Sequence, residues 1–586
     1  MNGMWLAVMG LTVFMAGWYW YSRYIAERIY RLDPNYVTPA HRYQDGIDFV
    51  PTRKWVLWAH HFTSVAGAAP IVGPAIALYW GWAPAVLWVL LGTVFAAGVH
   101  DFGALVISAR HRGQSIGTLA NRLVGRRAKL LFMFIILILV LMVNAVFTWI
   151  ISNLFITNPA SVVPVMLQIP IAIWFGYNII LRKRSMLVPS LIAMVLMYGT
   201  AVVTTRVDWL QIDLVRWMGG EGAGEILFGL DAVGMAFLIW IVLQLVYVYF
   251  ASTLPVWKLL QPRDYINAQQ LAFGLLILYG GLFVLRPEIT APAYNGQADV
   301  SWLPLLFITI ACGAISGFHG LISSGTSSKQ LDKETDARDI GYLGSVGEGV
   351  LALISIIAVA TVFGSQAEFL QSYSSFAAAS AGGLNNFVAG AAQLAGGLGI
   401  SADVAATFVA LMIVCFAATT LDSAVRLMRY LIGELGQEYN VPVLAGRHVA
   451  TSIAVGLTGL LVVLPDGGQG FGSGGYLLWP LFGTSNQLLA GITLMLISLW
   501  LYRLGRNPLP TLIPMVFLLV MTVWAMSKQV FLTWSGASGD EPQWLLFILG
   551  AAILVFALWI LLEAIRLFGR REHTYVPDAE QEEAGG

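Results

Sequence analysis

Residues 60–80 read HHFTSVAGAAPIVGPAIALYW, and a second apolar run follows that closes with GVHDFGALVISARHRGQSIG at 98–117. Both runs are long enough to cross about 30 Å of hydrocarbon. The first carries Gly67, Pro70, Gly73 and Pro74 where a spanning helix ordinarily has leucine. Proline lacks a backbone donor and clashes with the preceding turn, while glycine lets the chain leave helical geometry, so the helix should break near Gly67 to Pro70. Lipid cannot satisfy the main-chain groups freed there. Such backbone is tolerated only inside protein or beside a watery cavity, and discontinuous helices line the solute sites of many secondary transporters. The competing reading is a proline kink that shapes helix packing and binds nothing.

Composition fixes the class. Hydrophobic residues make up 58% of the 586 and charged residues 11%, with 12% aromatics and a mean hydropathy of +0.75. A soluble domain carries about 25% charged residues, so this chain is an integral membrane protein. The formal net charge of +0 gives no reason to expect nucleic acid. Cys312 and Cys415 are too few and too isolated for a disulfide framework or a zinc site. The N-terminal run has no basic residue before it and no small-x-small cleavage site, so it reads as a retained helix.

About fifteen runs are long enough to span, which makes an all-α polytopic fold. They lie near 3–21, 57–80, 84–109, 128–152, 161–181, 186–205, 232–257, 268–285, 302–324, 343–364, 401–430, 448–465, 475–501, 510–527 and 543–568. Basic residues cluster after the odd-numbered runs: Arg23 to Lys54, Arg110 to Lys129, Arg182 to Arg184, Lys258 and Arg263, Lys329 to Arg338, Arg426 to Arg447, Arg503 and Arg506, then Arg570 and Arg571. The even-numbered gaps are nearly free of them, Arg206 and Arg216 excepted. Cytoplasmic loops are the basic ones, which places the N-terminus outside and the C-terminus in the cytoplasm. The expected organisation is an N-terminal helix and linker (1–56), a core (57–430, in units 57–205 and 232–430), and C-terminal helices with a tail (431–586).

Polar residues inside the spans are candidates for a site. In the seventh, Ser252, Thr253 and Pro255 can unwind one end of the helix, with Tyr249 beside them. In the ninth, Gly313, Ser316, Gly317, His319, Gly320, Ser323 and Ser324 make either a close-packing stripe or a hydroxyl-lined cavity with His319 in it. Ionised side chains in hydrocarbon cost several kcal/mol unless paired or hydrated, so Asp101, Glu348 and Asp422 are proton-carrying candidates, with His61 added. The plain alternative is pairing, for example Asp422 with Arg426 one turn on.

Other features carry less. GGQGFGSGG from Gly467 has no preceding strand and no GK[ST], so it is a flexible turn. His60, His61, His100 and His319 are the residues a haem or metal redox protein would use, yet neighbours on a helix point about 100° apart and no CxxCH or HExxH is present. Asn486 and Gln487 are amides of the sort that knit helices together. Gly364 to Ile400 reads as an outer loop or re-entrant hairpin, and the acidic end after Arg571 as a solvated tail.

Several long blocks resemble one family: DPNYVTPAHRYQDGIDFVPT from Asp33, HHFTSVAGAAPIVGP from His60, HDFGALVISARHRGQSIG from His100, LPVWKLLQPRDY from Leu254 and CGAISGFHGLISSGTSSKQLDKETDARDIGY from Cys312. They are similar, in order and up to GTSNQLLA near 490, to the signature blocks of the carbon starvation protein family, the CstA-type transporters. Ala69 stands where a glycine is expected, which narrows the space beside a ligand. Thr484-Ser485 precede the Asn-Gln pair where the family varies. The resemblance implies proton-coupled uptake of small nutrients in the carbon-starvation response, peptides for some members and pyruvate for others. It implies a bacterial inner-membrane location, no cofactor beyond the coupling proton or a sodium ion in its place, and distant kinship with LeuT-type transporters of two inverted five-helix repeats.

The span parity suits that implication. A unit beginning at residue 57 and one beginning near 232 start from opposite sides, as inverted repeats must. The preferred expectation pairs the Gly67–Pro70 break with Ser252–Pro255; the alternative makes the ninth span, with Gly313 to Gly320, the mate. The expected contacts to solute are Ser64, Gly67, Ala68, Pro70, Tyr249, Ser252, Thr253, Ser316 and His319. With no Lys or Arg expected inside the membrane, exposed amides and hydroxyls suit a small carboxylate-bearing solute. A transporter, not an enzyme, is the leading expectation; a haem or metal redox protein and a transporter-derived nutrient sensor are its rivals.

Overall fold

Long apolar runs can satisfy their own backbone in hydrocarbon by coiling into helices, and this chain does so. In the computed structural model residues 2–178, 187–222, 224–256, 258–537 and 541–568 are described, and among them extended pairing is limited to isolated bridges. The basic run 182–184, Trp257 and the tail beyond 568 lie outside the described residues.

Twelve described helices are long and apolar enough to cross a membrane, or thirteen with one bent pair. In chain order the elements are α1 (Gly3–Tyr30), the bent pair α2 (Lys54–Val65) and α3 (Ala69–Trp80), α4 (Trp82–Ala109), α5 (Arg126–Thr157), α6 (Pro159–Gly176), α7 (Val188–Arg206), α8 (Ala232–Thr253) and α9 (Leu260–Leu285). Then come the short α10 (Trp302–Thr309) and α11 (Gly317–Gly325) and α12 (Glu334–Thr361). They are followed by α13 (Phe376–Gly396), α14 (Ala402–Glu438), α15 (Arg447–Val463), α16 (Gly474–Arg503), α17 (Leu509–Trp534) and α18 (Trp544–Leu567). The multi-pass membrane class read from composition is what the chain builds.

The helix break expected near Gly67 is present: α2 and α3 meet at 47°, and Ala66 leaves helical geometry at φ −79°, ψ 67°. A second break separates α10 from α11, where Gly313 takes φ +96° and Ser316 is extended. A side chain at that φ would be strained, so glycine supplies the turn. The two breaks face each other, since a Cβ on Gly313 would lie 3.4 Å from the Pro70 Cα. Their helices run antiparallel: Trp80 donates its indole N–H to the Val300 carbonyl at 2.7 Å, while at the other end Thr52 bridges to Leu331. The break that faces Gly67–Pro70 thus lies in the ninth run, and the preferred expectation of a facing Ser252–Pro255 break is not met. Helix α8 runs unbroken to Thr253 and ends there.

The elements α2/α3, α4, α10/α11 and α12 form an inner bundle. Around it, the long α5 and α14 pack on each other, α8 packs on α15, α9 lies against α2, and α16 lies against α10 and α11. Helices α6 and α7 pair beside α9, α1 flanks α12, and α17 flanks α16. Segment 364–400 is no loose loop: a short helix, Gln366–Ser372, leads into α13, which packs along α3 and α12.

Small residues set the helix spacing. A Cβ on Gly317 would collide with the Asn486 carbonyl and stand 2.5 Å from Leu489 Cβ. Gly317→Ala should therefore force α11 away from α16 and cost about 1–3 kcal/mol, seen as a lower thermal midpoint of the purified protein. Gly199→Ala, where nothing lies within 4 Å, is the control; equal midpoints for both would refute the close-packing account.

Candidate functional site

At the first break, the Ser64 carbonyl accepts the Thr420 hydroxyl at 3.3 Å and its Oγ lies 3.3 Å from Ser423 Oγ. A Cβ on Gly67 would lie 2.9 Å from both Phe147 Cζ and Thr420 Oγ1, so the unwound chain is pressed against α5 and α14. Ala68 is buried, and Pro70 faces Gly313. At the second break, Asn486 of α16 fills the gap. Its Oδ1 accepts the Phe318 N–H at 2.9 Å, and its amide nitrogen reaches Ser316 Oγ at 3.0 Å and Cys312 Sγ at 3.1 Å. A side-chain oxygen on an amide of the first turn is what a helix N-cap provides, here delivered from another helix. Asn486 does knit helices, as the sequence reading has it, and does so at the break.

A cavity of about 550 Å³ descends to both breaks, touching Ala69 of α3 and Ala311 and Cys312 of the second break. Its walls include Trp149, Phe376, Tyr476, Trp479 and Trp534, with Asn153, Asn385 and Gln529 as polar points and no charged side chain. It reaches toward the end of the bundle that lacks basic loops, by Val300, Gly467 and Gln543. Phe482 in its wall lies against Phe147 of α5, with ring centroids 6.4 Å apart.

Behind the second break lies a buried chain of titratable groups. His100 Nδ1 meets Asp101 Oδ1 at 2.6 Å, and His319 Nδ1 meets Asp101 Oδ2 at 2.8 Å. Ser345 donates to that same oxygen at 2.5 Å. On its other side His319 Nε2 stands 3.3 Å from Glu348 Oε2, an ion-pair distance without hydrogen-bond alignment. The Gly313 backbone faces the Glu348 carboxylate, so the chain ends on the unwound segment. Asp101, His319 and Glu348 come together from α4, α11 and α12, each buried. His61 is close to α12, with Nδ1 2.9 Å from Ser327 Oγ, but it bonds to none of the three. Ser345 is absent from the sequence reading because a serine among the small residues of a spanning helix carries no signal until Asp101 is seen opposite it.

The remaining expected residues lie elsewhere. Tyr249 bonds through its hydroxyl to His448 at 3.0 Å, the Ser252 carbonyl accepts Arg429 Nη1 at 2.6 Å, and Thr253 Oγ1 turns back to the Tyr249 carbonyl at 3.0 Å. This is the end of α8 on the basic side, apart from both breaks. Asp422 does not pair with Arg426, which instead caps α8 by donating to the Ala251 and Leu254 carbonyls at 2.9 and 2.6 Å. Asp422 pairs with Arg263 and accepts the Tyr247 hydroxyl at 2.9 Å. So a buried arginine does lie within a spanning helix, contrary to expectation: α9 starts at Leu260, well before the apolar run begins, and carries Arg263 and Asp264 inside. Asp264 in turn bonds His60. Among the described residues no group of three or more His, Cys, Asp or Glu is placed to hold a metal ion, and His60, His100 and His319 are committed to carboxylates.

Comparison with known proteins matches this architecture to one family. The family model of carbon starvation protein CstA matches residues 2–375 and 364–525. The chain is 32% identical to the peptide transporter CstA of Campylobacter jejuni, over 90% of this chain and 80% of that one. It is 31% identical to the pyruvate/proton symporter BtsT of Escherichia coli, over 91% and 82%, and 28% identical to the peptide transporter CstA of Bacillus subtilis, over 97% of each. Among solved structures it is similar to MhsT in complex with L-phenylalanine, at a TM-score of 0.48 and 12% identity over 88% of this chain and 99% of that one. With the family model running across nearly all of the helical bundle, including both breaks and the Asp101–His319–Glu348 chain, the protein belongs to the carbon starvation protein CstA family.

Proposed function

We propose that the protein is a proton-coupled secondary transporter that imports a small carboxylate-bearing nutrient, pyruvate or a short peptide, across the bacterial inner membrane in carbon starvation. The observation that carries this is the junction of two features: an uncharged cavity that ends on two unwound helices, and a buried Asp–His–Glu chain that ends on the same unwound segment at Gly313. An anion in a cavity without a cation is costly to hold. A proton taken up alongside offsets that charge.

The geometry gives the proton a place. His319 Nδ1–H donates to Asp101, and between Nε2 and Glu348, 3.3 Å apart, there is room for one exchangeable proton. Loading it lowers the net charge of a cluster in apolar surroundings; losing it raises the cost by several kcal/mol. Since the cluster joins α11 to α4 and α12, its charge state biases how the second broken helix sits in the bundle. Ser64, Gly67, Ala68, Pro70 and Ser316 border the unwound segments and are the residues proposed to meet solute, with the carboxylate on main-chain amides.

The topology proposed is about fifteen crossings: the twelve long helices, α2/α3, α10/α11 and α15. The basic end faces the cytoplasm by the positive-inside rule, so the N-terminus is outside and the C-terminus inside. Neighbour relations favour repeats of α2–α5 with α8 and α9, and α10–α12 with α14–α16. Helices α6 and α7 are then an insertion in the first and α13 in the second, in place of units 57–205 and 232–430.

Purified protein in proteoliposomes, given an acid-outside pH gradient, should accumulate pyruvate or dipeptides, and a protonophore should abolish it. Competition among pyruvate, dipeptides and amino acids ranks the substrates. Binding without accumulation would make the protein a sensor and end the transport reading.

A further inference from the structure

The cavity at the basic end takes no part in the reading above. It encloses about 730 Å³ over a floor of Ile136, Leu321 and Leu427. Its basic lining is Arg112, Lys129, Lys329, Arg429 and Arg447, against Glu434 and Glu438. Glu438 is taken by Lys129 at 2.7 Å and Arg126 at 2.9 Å, and Glu434 accepts the Thr118 hydroxyl at 3.4 Å. In the linker above, Asp48 accepts the Tyr430 hydroxyl at 2.7 Å and lies 4.0 Å from Arg426. Asp45 folds back onto the amides of Ile47, Asp48 and Phe49.

Two of these cations crowd one aromatic ring. Lys329 Nζ lies 5.6 Å from the Phe49 ring centroid and 4.9 Å from that of Tyr430. Arg429 lies 4.6 Å from the same Tyr430 ring; it is buried and donates to the Ser252 carbonyl. Among the described residues neither has a carboxylate within ion-pair distance. Two like charges sharing one aromatic ring repel, and at the mouth of a partly buried cavity water screens them incompletely. Burial lowers the Lys329 ammonium from the ordinary lysine range, against the opposing pull of Asp48, Glu434 and Asp45. A Cβ on Gly113, at φ +68°, would stand 3.3 Å from Lys329 Cγ, so that turn lies against the lysine stem and fixes where the ammonium stands. The hydroxyls of Ser115 and Thr118 and the Gln114 amide, whose Oε1 has no partner, complete the wall.

We propose that Lys329 and Arg429 form a binding site for a small oxyanion at the cytoplasmic mouth, the site from which the transported carboxylate is released. This rests on the transport and topology reading above. Charge-assisted bonds from an ammonium and a guanidinium are the strong kind, and their geometry suits a carboxylate or phosphate. Inorganic phosphate is the other source of the same chemistry.

Inverted membrane vesicles expose this mouth and right-side-out vesicles hide it. In inverted vesicles Lys329→Gln and Arg429→Gln should each raise the half-saturating pyruvate concentration about tenfold, the loss of one charge-assisted bond. In right-side-out vesicles the change should stay within about twofold, and Lys329→Arg should keep most of the affinity. Equal changes on both faces, or none on either, would overturn a release site for the solute. Calorimetry on the purified protein is the second arm. Phosphate heat lost in Lys329→Gln, with pyruvate kinetics unchanged, keeps the oxyanion site and assigns it to phosphate. Wild-type vesicles that accumulate neither pyruvate nor dipeptide end the transport reading, and the calorimetry then judges the site alone: no pyruvate or phosphate heat that Lys329→Gln abolishes means no site.

Discussion

Asp101→Asn should abolish accumulation driven by a pH gradient while leaving solute exchange across proteoliposomes measurable. Asparagine has nearly the shape of aspartate and can still accept from Ser345 and from His319 Nδ1, so the bundle keeps its packing. It cannot carry the negative charge that lets His319 hold and release a proton toward Glu348. A positioned proton-transfer group is worth about 10²–10⁴-fold, so a fall in accumulation of roughly 100-fold or more is the expected scale. Exchange of labelled for unlabelled solute needs the cavity and the helix movement but no net proton flux, and so separates lost coupling from lost binding. Accumulation at the wild-type level would discard Asp101 as part of the proton path. A loss of exchange to the same degree would make it structural.

Arg263→Met should be the most destabilising change in the second buried network. The guanidinium pairs with Asp422, donates to Gln168 Oε1 at 2.9 Å and also bonds the Tyr247 hydroxyl. Removing it leaves a carboxylate buried with only the Tyr247 hydroxyl for compensation. Breaking a buried pair from one side costs about 3–5 kcal/mol, whereas removing both charges together is often close to neutral. The thermal midpoint of Arg263→Met should therefore fall well below the wild type, and Arg263→Met with Asp422→Asn should recover most of the loss. A single variant as stable as the wild type would show that the pair does not hold α9 to α14. Transport that persists in the double variant would remove Asp422 from the proton-carrying candidates, since a carboxylate tied to a permanently charged guanidinium has little reason to cycle.

Hydropathy places most spans well, because a bilayer selects helices by length and apolarity and each run is apolar on its own account. It misplaces the start of α9, where QPRDYINAQQ is polar by composition yet helical and buried in part, since its polar side chains are satisfied by other buried polar groups rather than by water. Asp101, Glu348 and His319 are each legible as costly residues in hydrocarbon. Their union is not. They are far apart in the chain and come within bonding distance only because α4, α11 and α12 pack around small residues such as Gly320 and Gly341, whose Cβ positions are crowded by His100 and by the α4 backbone.

Composition, proline and glycine act locally on the backbone, and for that reason the multi-pass helical class and the break at Gly67 can be read straight along the chain. That the facing break lies at Gly313, that Arg263 rather than Arg426 holds Asp422, and that one histidine bridges two carboxylates emerge only once the helices are assembled. Those outcomes depend on which helices lie side by side. In a medium as apolar as the side chains themselves that choice is made by close packing and buried polar pairing, neither of which leaves a local pattern in the order of residues.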